Sequence, residues 1–269
     1  MKRSGIVTLL TDFGLGDPYV AMMKGVIFSI NPEVKLVDVT HSIRHGAILE
    51  GASVISETFP FYPKGTVHLA VVDPGVGSNR RPICLAAEGH MFVGPDNGIF
   101  SLIIKNYDVK EIIHLKKSSY FLPRITSTFH GRDIFAPMAA HLSLGDAPSS
   151  MGVIIEDAVI LFPSKPRISK DVLIGQVARV DNFGNLITNI NKEELFTFLK
   201  SKKPIINVGD LTIKDIKEYY SEVDSGEVLA LVNSSDQLEI AVCLGMASEY
   251  VGLSEREIIG AEVKIARKE

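Results

Sequence analysis

The chain reads as an α/β protein in two parts. An N-terminal domain carries a helix-covered, largely parallel sheet, and a smaller C-terminal domain forms a mostly antiparallel, barrel-like β structure. Strand-like segments at 6–10, 34–39 and 67–72 alternate with helical stretches, which is the rhythm of strand–helix–strand units. At Leu161-Phe162-Pro163-Ser164-Lys165-Pro166 two prolines and a lysine break the pattern, as in a linker. Beyond it the strands are short and separated by turn signals such as Gly184-Asn185 and Asp224-Ser225-Gly226. The expected domains are residues 1–163 and 170–269.

Each element has its own reason. The run 6–10 is apolar on both faces, as a strand buried on both sides must be, and it ends at Asp12-Phe13-Gly14. Pro18 suits the first turn of a helix reaching about Ile30, with Met22, Met23, Val26, Ile27 and Ile30 at helical spacing. Asn31-Pro32 stops it. A strand at 34–39, a helix at 48–58, a loop at 60–64 and a strand at 67–72 follow, the last ending at Asp73. Segments 83–87 and 91–93 suggest a hairpin, with a turn at Gly94-Pro95-Asp96-Asn97-Gly98. A helix is expected at 134–142, capped by Asp133. The C-terminal strands are expected at 172–180, 186–190, 205–208, 228–232, 238–243 and 262–266. There is no internal repeat and no low-complexity tract.

Composition narrows the classes. With 269 residues, 46% of them hydrophobic, a large core can be buried. A net charge of −4 without a basic stripe argues against a nucleic-acid partner. Cys84 and Cys243 are the only cysteines, so a disulfide scaffold is not expected and a reduced, cytoplasmic setting is the simplest inference. Asp12 interrupts the first apolar run, so no signal peptide is read, and no apolar stretch is long enough for a membrane span.

Four segments place charged or amide side chains beside glycine, just after apolar runs. They are Leu10-Thr11-Asp12-Phe13-Gly14, Val72-Asp73-Pro74-Gly75-Val76-Gly77 with Arg80, Thr128-Phe129-His130-Gly131-Arg132-Asp133, and Val180-Asp181-Asn182-Phe183-Gly184-Asn185. Strand ends of α/β sheets are where ligands bind. Asp12 and Asp73 suit the paired hydroxyls of a sugar as acceptors, or else cap the turns that follow them. Arg80 could hold Asp73 ionised, with Arg81 as the rival partner. His130 could orient or deprotonate a bound water, or be a satisfied core residue. Arg132 is open between substrate and structural pairing. The other six histidines, His41, His45, His68, His90, His114 and His141, lack comparable surroundings. The 181–185 segment joins a carboxylate, an aromatic and an amide, suited to an adenine or to a plain β-turn. Tyr219-Tyr220 and Asn233-Ser234-Ser235 extend that theme. No phosphate-binding glycine loop, dinucleotide fingerprint, nucleophile elbow or zinc spacing occurs.

Taken together these residues resemble the S-adenosyl-L-methionine (SAM) hydrolases that form adenosine, also called SAM hydroxide adenosyltransferases, to which fluorinases and chlorinases are related. The likeness runs from Thr11-Asp12-Phe13-Gly14 to the region 234–244. It implies an Asp–Arg–His set at Asp73, Arg80 and His130, and a ribose contact at Asp12. It implies nucleoside or methionine contacts at Asp181, Phe183, Asn185, Tyr220 and Ser234, with Glu239, Val242 and Leu244 as edge or backbone contacts to adenine. Where fluorinases carry a tyrosine and a halide-contacting serine, this chain has His130 and Gly131, and it has Asp73 where they carry another tyrosine. That places it on the water-using branch. The resemblance further implies a homotrimer with the ligand between adjacent subunits, a small-molecule substrate, and no cofactor and no metal.

The reaction so implied is attack of water on ribose C5′, a nucleophilic substitution that displaces a neutral thioether. The difficulty lies in the nucleophile, because bulk water has a pKa near 15.7. Two other classes remain open on the residues alone: a metal-dependent hydrolase using Asp12, Asp73, His130 and Asp133, and a SAM- or adenosine-binding module with little turnover.

Overall fold

Apolar residues on both faces of the central strands require a cover on both sides, and the first unit supplies it. The computed structural model describes residues 3–268, and the chain divides into two units, residues 1–162 and 163–269. In chain order the first unit holds β1 (Ile6–Thr11), α1 (Tyr19–Ile30), β2 (Lys35–Thr40), α2 (Ile48–Thr58), β3 (Val67–Val71), β4 (Pro82–Ala87), β5 (His90–Pro95), α3 (Ser101–Asn106), β6 (Val109–Leu115), α4 (Ala136–Leu144) and β7 (Gly152–Ile154). They build a seven-stranded sheet in the order β2-β1-β3-β5-β4-β6-β7. The core β2-β1-β3-β5 is parallel, and β4, β6 and β7 continue it antiparallel.

Alternation along the strands sorts the side chains into two cores. Leu9, Leu69 and Val71 pack with Met23 and Ile27 of α1 and with Phe135, Met138 and Ala139 around α4. Leu10, Ala70 and Val72 pack with Ile55 of α2, Phe92, Phe100 and Ile103 of α3 on the other face. The parallel strands leave Asp12 and Asp73 just beyond the ends of β1 and β3, which are adjacent and in register at Thr11 and Val71.

The helix expected from Ile134 begins differently. Gly131–Phe135 form a π-helical turn and the α-helix proper starts at Ala136, with Pro137 in its first turn. It ends on Gly145 in the left-handed conformation, a standard helix stop. Asp133 lies inside the π turn and caps nothing, which corrects the capping expectation.

The second unit holds β8 (Arg167–Ser169), β9 (Val172–Val180), β10 (Leu186–Asn191), α5 (Lys192–Leu199), β11 (Pro204–Val208), β12 (Leu211–Ile213), β13 (Ile216–Lys217), β14 (Val228–Val232), β15 (Gln237–Val242) and β16 (Glu262–Arg267). Its sheet runs β12-β11-β16-β9-β10-β15-β14-β13, with β8 added beside β9, and forms a nearly closed barrel. All pairings but β13–β14 are antiparallel. Val177, Leu186, Ile206, Ile240 and Ile265 fill the interior. Helix α5 interrupts the run of strands that the sequence pattern predicts. Asn191 starts it with a capping box, its side chain accepting from the Glu194 N–H while Glu194 reaches back. Among the described residues, no helix is long and apolar enough to cross a membrane.

Candidate active site

Asp73 follows β3 and Arg80 lies seven residues on, across the turn that leads into β4. The Arg80 guanidinium folds back and grips the Asp73 carboxylate: Nε donates to both oxygens at 2.9 Å, and Nη2 donates to Oδ2. Both side chains are almost wholly buried. Two charges taken from water are tolerable only when paired in this way. Phe135 covers the guanidinium, with Cζ 5.0 Å from the ring centroid. Arg81, the rival, turns instead to Asp96 and Asp157.

His130 completes the chain from 50 residues away. Nη2 of Arg80 lies 2.9 Å from its Nδ1. A guanidinium only donates, so Nδ1 accepts, and the neutral ring therefore carries its proton on Nε2. Burial, and then the Arg80 charge, push the imidazole below its ordinary pKa. His130 is thus held neutral, with an Nε2–H donor to offer. The Arg80 Nη1 atom is buried and has no partner among the described residues.

The loop that carries His130 is pinned at both ends. Asp133, fully buried, accepts from the Thr126 N–H at 2.8 Å, from the Thr126 hydroxyl at 2.7 Å and from Arg132 Nε at 2.6 Å. Beside Thr126, Gly77 has φ +80°, and a Cβ there would meet the Ser127 carbonyl at 2.3 Å. Only glycine allows that approach. Asp73 and His130 both line a cavity of about 400 Å³, whose walls include Phe13, Tyr19, Phe129 and Arg132. Three of these are aromatic and meet edge to face, with centroids 5.3–6.1 Å apart. Gly131 packs tightly under Phe129, Met23 and Phe13.

Asp12, one strand over, does not line that cavity. Its carboxylate accepts from the Gly46 N–H at 2.9 Å and lies 3.3 Å from His45 Nδ1. His45 is therefore a partner of a candidate residue, although its sequence surroundings gave no sign of it. His41 is likewise no bystander: it is buried, bonded to Thr11 Oγ1 at 2.8 Å and 3.1 Å from Asp38. His68 and His90 are core histidines, bonded to each other at 3.1 Å.

The candidates of the second unit form a group of their own. Asp181 sits at the end of β9, and its carboxylate accepts from the N–H groups of Phe183 and Asn185 at 2.9 Å and from the Asn185 amide at 3.1 Å. This is the turn reading made concrete, and it holds the buried Asn185 while leaving Phe183 in solvent. Gly184, at φ +78°, packs against Met246, whose Cβ would lie 2.5 Å from an added Cβ. Tyr220 donates its hydroxyl to Glu239 on β15 at 2.7 Å. Burial pushes the Glu239 carboxyl up, and the Asp181 charge adds to this. Tyr220 is pushed up as well, by burial and by Glu239. Val242 ends β15 with its side chain in the core, whereas Leu244 is exposed with φ +55°. Ser234 lies exposed in the turn between β14 and β15. Among the described residues, no three His, Cys, Asp or Glu side chains gather as metal ligands, and Asp133 faces Thr126 and Arg132 rather than Asp73.

Residues 7–152 match the SAM hydroxide adenosyltransferase N-terminal domain, and residues 175–259 match the C-terminal domain of the same family. An "(R)-S-adenosyl-L-methionine hydrolase" from Salinispora tropica is 34% identical over 255 residues, covering 92% of this chain and 94% of the relative. A fluorinase from an Actinoplanes species is 30% identical over 217 residues, covering 71% and 73%. The crystal structure of an uncharacterized conserved protein from Thermotoga maritima superposes with a TM-score of 0.89 at 34% identity, covering 97% of this chain and 100% of that one. The chain belongs to the SAM hydroxide adenosyltransferase family.

Proposed function

We propose that the protein is a hydrolase that converts S-adenosyl-L-methionine and water to adenosine, L-methionine and a proton. The (R) form in the relative's name is the epimer assigned to it. The observation that carries this reading is the buried chain Asp73–Arg80–His130 opening on a cavity. An oxygen nucleophile placed there meets the His130 Nε2–H donor, with the buried Arg80 cation behind the ring. Donors favour the charged form of what they bond, so they lower the pKa of a held water and stabilise it as hydroxide. Held in line with the C5′–S bond, that oxygen attacks C5′, the C–S bond breaks, and its electron pair goes to sulfur as the neutral thioether of methionine. Positioning and the electrostatic hold of these donors on the hydroxide supply the rate, and the water's proton passes to solvent.

Asp73 orients Arg80, and Arg80 orients His130. Asp12 takes the ribose hydroxyls. Phe183 and Tyr220 flank the adenine, Asn185, Glu239, Val242 and Leu244 present polar or backbone edges to it, and Asp181 and Ser234 hold the amino-acid end. The first- and second-unit residues meet across adjacent subunits of a homotrimer. The enzyme needs no cofactor or metal and works in the cytoplasm, in keeping with its two buried free thiols.

Incubation of the EDTA-treated protein with each epimer of SAM, followed by chromatography, tests the reading. Equal amounts of adenosine and methionine from the (R) epimer are expected, also in excess chloride or fluoride. Intact SAM would mean a binding module, and loss of activity with EDTA a metal hydrolase. Light scattering on the purified protein tests the trimer.

A further inference from the structure

Arg132 is a cation at the cavity to which the proposed chemistry gives no task. Arg80 is committed to Asp73 and His130, and its guanidinium is buried. Arg132 is placed differently. Its side chain is 30% exposed and lines the cavity. Its Nε donates to Asp133 at 2.6 Å, and its Cζ lies 5.0 Å from the Phe129 ring centroid. One end of the guanidinium is thus fixed by a buried carboxylate and its face by an aromatic ring. Asp133 is itself held by Thr126, so the whole fork is rigid. Asp133 takes only Nε, and the two terminal nitrogens remain as donors at the cavity wall.

We propose that Arg132 is a specificity residue that recognises the α-carboxylate at the amino-acid end of the substrate. This rests on the hydrolase reading above. The substrate offers a sulfonium cation, an ammonium cation, a neutral nucleoside and a single anion. A guanidinium repels the first two and matches the carboxylate, to which it can donate two parallel hydrogen bonds. Arg132 lies two residues from His130 on the same turn of chain, so reaction centre and carboxylate fall within reach of one substrate. The apolar wall of Phe13, Tyr19 and Phe129 suits the aliphatic segment between them. A preformed fork costs little ordering on binding, which favours discrimination by affinity.

The test compares SAM with its decarboxylated analogue, which keeps the sulfonium and the amine, in the wild type, R132Q and R132K. In the wild type the analogue's KM is expected to be about ten- to a hundredfold higher, the size of a lost charge-assisted hydrogen bond. R132Q raises KM for SAM by the same factor and leaves the analogue's KM where it was. R132K keeps a cation beside Asp133, guards against a folding defect, and gives an intermediate preference. Equal penalties on both substrates in R132Q, or a wild type that does not distinguish them, would overturn the assignment. Should the wild type turn over neither compound, the hydrolase reading fails. Calorimetric affinities for the same pair then decide the Arg132 assignment by the same pattern.

Discussion

In the first unit Arg80 and Asp73 are 8% and 4% exposed and bonded to each other, whereas in the second Phe183 and Leu244 stand 72% and 91% exposed. The polar candidates of the second unit, Asp181, Tyr220 and Glu239, are bonded among their own neighbours. In the proposed function this contrast is a division of labour. A buried ion pair tied to a neutral imidazole is preorganised electrostatics, which acts on a transition state. Exposed apolar groups on fixed turns are contact surface, which acts on affinity.

Substitution of Asp73 by Asn would strain this comparison most. It keeps the shape and removes the charge that orients Arg80. A fall in kcat of about a hundred- to ten-thousand-fold is expected, with KM little changed. A kcat within a few-fold of wild type would break the assignment. The pH profile adds a sign. Because His130 is held below 6.5, wild-type activity should fall on the acid side only below that value, as protonation of Nδ1 ends its bond to Arg80. Asp73 opposes that lowering, so its loss should move the acid limb further down.

Acid stability should separate the units next. All seven histidines lie in the first. His68 is buried among Phe59, Phe92 and Tyr62, and burial, then His90, lower it from 6.5 to about 3. Its depressed pKa means the unfolded chain binds the extra proton, so its contribution to stability is complete above pH 6.5. That contribution is lost progressively as pH falls toward 3. The loss is on the order of 4–5 kcal/mol at the acid end if His68 stays neutral throughout. Calorimetry from pH 7 to 4 should show the first unit's transition falling, whereas the second, whose raised Glu239 takes up a proton on acidification, should not fall with it. Parallel movement of both would contradict it.

Phe183 tests the other side. It touches too little of the fold to matter for stability, so Phe183→Ala should leave the melting temperature in place. Loss of a stacking face should weaken nucleoside binding by about 1–3 kcal/mol, seen in KM or in adenosine affinity with kcat retained. Unchanged affinity would remove Phe183 from the site.

What the sequence disclosed follows from how far apart the interacting residues lie. Asp12 and Asp73 stood out because an acid after an apolar run is a local signal, and the strand–helix rhythm was local too. Arg80 was legible as a turn-mate of Asp73. Its bond to His130 spans 50 residues, and no periodicity encodes that; only the family resemblance joined them. Asp133 reads as a cap because the rule for helix starts is local, while its partner Thr126 lies seven residues back on a loop. The π turn that displays Arg132 has no simple sequence mark. His45 escaped notice because its partner Asp12 sits on another strand end.

Leu244 gives the smallest and sharpest contrast. At φ +55° a branched side chain sits in a conformation that costs L-residues roughly 1–2 kcal/mol, and at 91% exposure it recovers almost nothing by burial. Leu244→Gly relieves that strain but frees the unfolded chain by about 0.4–1 kcal/mol, so the net change in stability should lie within about 1 kcal/mol. A fold-driven residue would behave otherwise, since truncating a leucine that packs in a core costs about 2–5 kcal/mol. The strain is held by neighbours: Gly245 N–H donates to the Val242 carbonyl at 3.1 Å, and Gly184 carbonyl accepts from Ser248 N–H at 2.9 Å. In the proposed function this strained, solvent-facing leucine is a contact for the nucleoside. Leu244→Gly should therefore lower affinity for adenosine several-fold while the melt stays put. A drop in melting temperature with affinity intact would assign Leu244 to the fold and shrink the recognition surface to Phe183 and Tyr220.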